Sequence, residues 1–142
     1  MLKIEKTTNL DKDLYKDAVT IREQVFVNEQ KVPIELEMTG ENGPCYYVGY
    51  VNTDPVATAR VVKEEQQWLI QRVAVLATQR NKHYGSALMN EIERDARKQQ
   101  VERLVLHAQD NAAGFYEKIG YIAEGEGFTE ATIPHHIMAK EL

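Results

Sequence analysis

The chain has 142 residues, of which 43% are hydrophobic and 27% charged, and its formal net charge is −5. A chain of this length usually folds around one core, so we predict a single domain over residues 1–142. The acidic balance argues against broad nucleic-acid binding, which depends on Lys and Arg side chains. No apolar run approaches the roughly 20 residues that cross a bilayer, and the N-terminus is too polar for a secretory signal, so we expect a cytoplasmic protein with no membrane partner.

Cys45 is the only cysteine. It cannot form an intramolecular disulfide, and the Cys and His spacings of metal sites are absent, so we predict no metal. We also regard Cys45 as a weak candidate for a nucleophile, because a reactive thiol needs exposure and a lowered pKa.

The front half of the chain alternates strand and helix patterns. A short strand at Leu2–Glu5 precedes an amphipathic helix that starts near Asp11. Residues 27–44 contain prolines and glycines and are predicted to form an irregular loop of the kind that often borders a site. Three consecutive antiparallel strands are then predicted, at Cys45–Val51, Val56–Lys63 and Trp68–Val75.

The back half begins with a helix at Gly85–Gln100 and a buried strand at Arg103–Ala108. The strand–helix–strand order requires this strand to run parallel to Trp68–Val75, with a right-handed crossover. A short helix at Ala112–Ile119 ends at Gly120. Two final strands are predicted at Tyr121–Gly127 and His136–Lys140, joined by Phe128–Pro134. The predicted fold class is therefore α/β, with a mixed, mostly antiparallel sheet and one central parallel junction.

The stretch around that junction has the pattern of an anion site. A strand runs into the basic turn Arg80–Gly85, which opens directly onto a helix. Unpaired N–H groups and the positive end of the dipole meet at a helix N-terminus and favour an anion such as phosphate. Neither a P-loop nor the GxGxxG of a Rossmann turn is present.

The order of elements, the segment QRVAV…QRNKHYGSALM and the later GFYEKIGY together resemble the GNAT family of N-acetyltransferases over nearly the whole chain. IREQVFVNEQKVP and LHAQ resemble a small bacterial subgroup, and PHHIM resembles the ending of glyphosate N-acetyltransferases. The resemblance implies the GNAT fold, with helices on both faces of the sheet. It also implies an acetyl-CoA-dependent enzyme that acetylates a primary amine of a small molecule or peptide by direct attack in a ternary complex. The alternative is a non-catalytic acyl-CoA-binding module.

The resemblance also implies which residues bind acetyl-CoA. The pyrophosphate would lie on the loop made of Arg80, Asn81, Lys82, His83, Tyr84, Gly85 and Ser86. The pantetheine arm would pair with the backbone of Val73, Ala74 and Val75, and Gln109 stands where many members have an asparagine. His83 replaces a glycine of the usual loop, at a position where a positive φ would favour glycine.

Two of the three candidate catalytic residues follow from the same resemblance, and the third, Glu29, follows from its place in the loop expected to border the acceptor. Tyr116 matches the tyrosine beside the departing sulfur, His135 is the first candidate for the base, and Glu29 is its competitor. We expect His107 to be a hydrogen-bonded core residue.

Charged residues near these positions point to two kinds of acceptor. Arg72 and Arg22 would bind an acceptor carboxylate or phosphonate. Against this, four acidic residues would attract a cationic amine: Glu23, Glu29, Glu35 and Glu37. Both sets are equally compatible with ordinary surface charges, and the pattern does not decide between a monomer and a homodimer.

Overall fold

Seven strands form one mixed sheet in the computed structural model, which describes residues 1–142. In chain order they are β1 Leu2–Thr7, β2 Cys45–Val51, β3 Asp54–Lys63, β4 Gln67–Val75, β5 Arg103–Gln109, β6 Ile122–Glu130 and β7 Ile133–Glu141. Their order across the sheet is β1-β2-β3-β4-β5-β7-β6. Only β4 and β5 are parallel, which confirms the predicted junction.

The helices are α1 Asp13–Arg22, α2 Ile34–Glu37, α3 Tyr84–Lys98 and α4 Ala113–Lys118. A π-helical segment, Glu23–Glu29, continues α1. The prediction of an irregular loop over residues 27–44 is therefore wrong in part, because this interval begins inside the π-helical segment and contains α2. None of the helices is both long enough and apolar enough to cross a membrane.

The two faces of the sheet bury separate cores. Leu88 and Ile92 of α3 pack with Tyr47 on one face. Ile21 of α1 packs with Tyr46 on the other. Consecutive strand residues point to opposite faces, so the continuous apolar run CYYVGYV serves both cores. The predicted α/β architecture with helices on both faces is confirmed.

The parallel pair is short. Cα pairing of β4 with β5 extends from Gln67↔Arg103 to Ile70↔Leu106 and then stops. The next residues of β4 contain a bulge, because the register with β3 shifts and Arg72 has φ +55°. A bulge bends its strand and increases the local twist, so β4 turns away from β5 and the two strands separate.

The terminal hairpin is longer than predicted. β6 extends to Glu130 and β7 begins at Ile133, so the turn consists of Ala131 and Thr132, with φ of 51° and 65°. The predicted connection Phe128–Pro134 is wrong, and His135 lies inside a strand, paired with Gln109 of β5. Positive φ at both turn residues is typical of a type I′ turn, which Asn and Gly usually signal. The turn contains neither Asn nor Gly, so the sequence does not indicate a two-residue turn here.

A buried ionic cluster joins α1 to the segment that follows it. Arg22 is 0% exposed, and its Nε donates to Glu37 Oε2 at 2.7 Å. Its Nη1 donates to Glu41 Oε1 at 2.7 Å, and Arg60 of β3 donates to the other Glu41 oxygen. The structure contradicts direct acceptor binding by Arg22, because its guanidinium is enclosed and already holds two carboxylates.

We expect Arg22→Ala to lower the free energy of unfolding by about 3–5 kcal/mol, because it leaves Glu37 and Glu41 buried without their main partner. Urea denaturation measures this change. Arg94→Ala is the control, since Arg94 is 61% exposed and pairs with Glu91 on the surface of α3. Its loss should stay below about 1 kcal/mol. Equal small losses for both variants would contradict a structural role for the cluster.

Candidate active site

A cleft of about 1100 Å³ opens where β4 and β5 separate. Its walls come from β4, β5, the loop before α3, α4 and the hairpin end of β7. Most of the predicted site residues line it: Glu29, Arg72, Val73, Ala74, Val75, Arg80, Asn81, His83, Tyr84, Gly85, Ser86, Gln109, Tyr116 and His135. Arg22 does not line it, and neither does Lys82, whose Nζ bonds Gln79 at 3.2 Å.

The cleft exposes backbone groups of β4. In an antiparallel ladder, alternate residues direct their N–H and C=O to the same neighbour. Leu76 donates to Val56 O of β3 at 3.0 Å, so Leu76 and, two residues before it, Ala74 direct their backbone groups toward β3. By alternation Val75 faces the side of β5, and Val73 lies at the bulge beyond Ile70, where the pairing of β4 with β5 has already ended. The cleft therefore has an open strand edge along one wall.

The loop before α3 places N–H groups at one end of this edge. The helix starts at Tyr84, so the N–H groups of its first turn have no intrahelical acceptor. Two loop residues have left-handed backbone, Asn81 with φ 66° and His83 with φ 64°. The positive φ at His83 agrees with the expectation that this position suits glycine. A Cβ on Gly85 would lie 3.2 Å from the Phe115 ring, so glycine here allows α3 to approach α4.

Arg80 crosses the same end of the cleft. Its Nη1 and Nη2 each donate to one oxygen of Glu29 at 2.7 Å, and its Nε donates to Val75 O at 3.1 Å. The hydrogen bonds from Arg80 lower the pKa of Glu29. A carboxylate with a lowered pKa is a weaker base, which counts against Glu29 as the proton acceptor while this pair persists.

The end of the π-helical segment touches both walls. Glu29 is held by Arg80, which follows β4, and the next residue, Gln30, accepts a hydrogen bond from Gln109 Nε2 of β5 at 2.8 Å. These contacts bridge the mouth of the cleft.

Tyr116 lies deep in the cleft wall on α4. Its side chain is buried between the rings of Phe115 and Tyr121, both in edge-to-face contact. Burial raises the pKa of Tyr116, so the hydroxyl stays protonated. It makes no hydrogen bond to another protein group, which leaves its proton available to a ligand.

His135 is 6% exposed and is held in one orientation. Its Nδ1 lies 2.6 Å from Ile133 O, and a carbonyl only accepts, so Nδ1 must carry a hydrogen. In the neutral ring Nε2 is then the unprotonated nitrogen. It lies 3.7 Å from Glu130 Oε2, and the ring stacks on Phe128 with centroids 5.9 Å apart. A proton acceptor is therefore fixed in the cleft wall.

The prediction for His107 is wrong. Its side chain is 38% exposed, and its Nδ1 contacts Glu130 Oε1 at 3.1 Å. His107 and Glu130 both line the cleft, although neither was predicted to belong to the site. The missed signal is the alternation along β5, which directs His107 away from the core that contains Leu106 and Ala108. Glu130 gave no signal, because its position was predicted to be in a connection.

The wall beyond the bulge carries Arg72. Its Nε donates to Glu37 O at 3.3 Å, and its Nη2 donates to Leu36 O at 3.2 Å. The nearest carboxylate contact, to Glu37 Oε1, is also 3.3 Å. These contacts are long for hydrogen bonds to a guanidinium, which favours 2.7–2.9 Å with carboxylates. Among the arginines that line the cleft, Arg72 therefore has the longest hydrogen bonds.

Comparisons with known proteins agree with this geometry. A family model described as an acetyltransferase (GNAT) domain matches residues 10–142. The uncharacterized N-acetyltransferase YjcF of Bacillus subtilis (strain 168) is 35% identical over 128 residues, covering 89% of this chain and 91% of YjcF.

Solved structures of other proteins are also similar to this chain. An acyl-CoA N-acyltransferase from Pseudomonas aeruginosa is 26% identical, with a TM-score of 0.86 and 99% of each chain covered. A GNAT family acetyltransferase from Elizabethkingia anophelis with acetyl-CoA bound has a TM-score of 0.71. It covers 99% of this chain and 98% of its own, and at 14% identity it supports the fold alone.

The relation to glyphosate-acetylating enzymes stays a prediction. The family itself rests on a model that spans residues 10–142 and on a relative with 35% identity. The chain belongs to the GNAT family of acetyltransferases.

Proposed function

We propose that this acetyltransferase uses acetyl-CoA to acetylate a primary amine by direct attack within a ternary complex. One observation carries the proposal: the open strand edge, the helix N-terminus, Tyr116 and His135 all line a single cleft. Acetyl-CoA supplies an acetyl group activated as a thioester. The protein's part is to bind it, polarise its carbonyl, deprotonate the amine and stabilise the departing thiolate.

The cleft fits the two chemically distinct parts of the co-substrate. Phosphates carry negative charge and suit the free N–H groups at Tyr84, Gly85 and Ser86, with Arg80 adjacent. The pantetheine arm contains amide groups that can pair with an open strand edge. The edge at Val73 and Val75 offers such partners, and the same edge provides an N–H to polarise the thioester carbonyl.

The acceptor requires a base. An alkyl amine with a pKa of about 10.4 is neutral in only about one molecule in 10³ at pH 7. His135 meets the geometric requirement, because its Nδ1–H is committed to Ile133 O and its Nε2 is free to accept a proton. An imidazole also changes charge close to neutral pH.

Tyr116 acts chiefly as a hydrogen-bond donor. Burial raises the pKa of its hydroxyl, so complete proton transfer to a thiolate is unfavourable. A hydrogen bond to the departing sulfur needs no such transfer. The hydroxyl without a protein partner is suited to this contact.

We further propose that the acceptor carries an anionic group in addition to its amine. Arg22, Arg60 and Arg72 face only two carboxylates in their cluster, those of Glu37 and Glu41, so one positive charge is in excess. Arg72 has the longest contacts and lines the cleft, which makes it the arginine that an acceptor carboxylate would bind. The acidic residues offer less to a cation, since Glu37 is buried against Arg22 and Glu29 pairs with Arg80.

We expect thiol release from acetyl-CoA in the presence of some members of a panel of amines and amino acids. His135→Ala should lower kcat by about 10²–10⁴-fold near neutral pH, with a smaller loss at high pH, where the amine is already neutral. Tyr116→Phe should lower kcat by roughly 10–100-fold and leave CoA affinity unchanged, because only a bond to the leaving sulfur is lost.

Calorimetry with CoA separates binding from catalysis in these variants. If CoA binds, yet no amine produces thiol above the hydrolysis rate, the enzymatic proposal fails and a binding module is the better description.

His83→Gly should leave CoA affinity unchanged or increase it. The left-handed backbone at position 83 disfavours an imidazole-bearing residue and suits glycine. The comparison variant is Arg80→Gln, which removes a charge near the phosphates and should weaken binding. A large loss of affinity for His83→Gly alone would mean that the imidazole itself holds a phosphate.

Glu29→Gln should tighten CoA binding by up to about fivefold, because Arg80 no longer has to leave a carboxylate to reach a phosphate. Calorimetry at low ionic strength measures this effect best. Glu91→Gln is the matched control, since Glu91 also forms a surface ion pair with an arginine but lies on α3 away from the cleft. Weaker binding by Glu29→Gln would contradict competition between Glu29 and the phosphates.

A further inference from the structure

Each of the two carboxylate oxygens of Glu130 lies near one histidine. Oε1 lies 3.1 Å from His107 Nδ1, and Oε2 lies 3.7 Å from His135 Nε2. The three residues come from three adjacent strands, β5, β6 and β7, and all line the cleft. Phe128 completes the cluster, edge-on to His107 at 5.3 Å and stacked on His135 at 5.9 Å between ring centroids.

The two imidazoles differ in what they can do. A carboxylate only accepts, so His107 donates its Nδ1–H to Glu130. The Nδ1–H of His135 is committed to Ile133 O, so its Nε2 is unprotonated while the ring is neutral. At 3.7 Å from a carboxylate oxygen, this nitrogen makes no hydrogen bond until it gains a proton. The negative charge of Glu130 then stabilises the positive ring.

The exposed fraction of the side chain increases from His135 through His107 to Glu130. The side chain of His135 is 8% exposed, that of His107 38% and that of Glu130 47%. A proton taken up at His135 therefore has an adjacent carboxylate that reaches water. The neighbouring histidine of β7, His136, has its Nδ1 2.7 Å from Asp110 Oδ1, but neither residue lines the cleft, so this pair cannot serve it.

We propose that Glu130, positioned by His107, stabilises protonated His135 and carries its proton to solvent. This inference rests on the proposed function, in which His135 is the base. The neutral amine bonds the acetyl carbon as the C–S bond breaks, and the proton that its nitrogen then loses goes to the departing thiolate. The proton carried by Glu130 is the earlier one, which the acceptor ammonium gives to His135 Nε2. It next passes to Glu130 Oε2 and then to water, which restores both the neutral imidazole and the carboxylate.

Kinetics test the inference. Glu130→Gln keeps the shape of the side chain but removes its charge, so kcat with the best amine should fall about three- to tenfold. The acidic limb of kcat/KM should move to lower pH, because protonated His135 has lost the neighbouring negative charge. His107→Leu should shift the limb in the same direction by less, since Glu130 remains but is no longer held.

Matched controls separate this effect from a loss of structure. Glu124→Gln changes another exposed glutamate of β6, and His136→Gln changes the neighbouring histidine of β7; neither residue lines the cleft. Both should leave the pH profile and kcat unchanged. If Glu130→Gln lowers the rate without moving the acidic limb, its role is structural and the inference fails.

An NMR titration of the histidine ring protons needs no turnover. The midpoint for His135 should move to lower pH in Glu130→Gln and stay in place in Glu124→Gln. An unchanged His135 midpoint overturns the inference even if the enzyme is active. A shifted midpoint, in a protein where His135→Ala has no effect on the rate, retains the electrostatic link but rejects His135 as the base, and with it the proton route.

Discussion

The early end of the β4–β5 pairing is the constraint on which the rest of the site depends. Once the parallel ladder stops at Ile70 and Leu106, the following residues of β4 have backbone groups without a strand partner. Unpaired backbone groups inside a protein are costly unless a ligand or water satisfies them. The separation therefore creates both the cleft and a reason for an amide-containing ligand to enter it.

The bulge that separates the strands is itself held by buried charge. Gln71 receives hydrogen bonds from Arg60 Nε and Nη2 at 3.0 and 2.7 Å, and the next residue, Arg72, bonds the carbonyls at the end of α2. Arg60 also contacts Glu41, which Arg22 binds from α1. The buried ionic cluster thus connects α1 to Arg72, the residue of β4 with left-handed backbone. A left-handed backbone at a non-glycine residue costs on the order of 1–2 kcal/mol, which these contacts offset.

Most of the fold could be predicted because its strands and helices have clear periodicity and the βαβ order allows one handedness. The loop before α3 was recognisable for the same reason, as a basic turn between a strand and a helix. The bulge at Arg72 was not predictable from local sequence, since no glycine marks it and its cause lies in residues from α1, α2 and β3. The two-residue turn at Ala131 likewise lacks Asn or Gly. Because this turn was not predicted, His135 was left outside the predicted strand and Glu130 was assigned to a connection. The surroundings of the candidate base were therefore found only from the structure.

We infer that Val73 and Val75 present an open strand edge that the co-substrate closes. Amide hydrogen exchange at individual residues, measured with and without CoA, tests it most directly. Leu69 lies in the paired part of β4 and serves as the internal reference. We expect fast exchange at Val73 and Val75 in the free protein and strong protection with CoA, with little change at Leu69. Protection at Val73 and Val75 that is already complete without CoA, or no gain when CoA is bound, would contradict it.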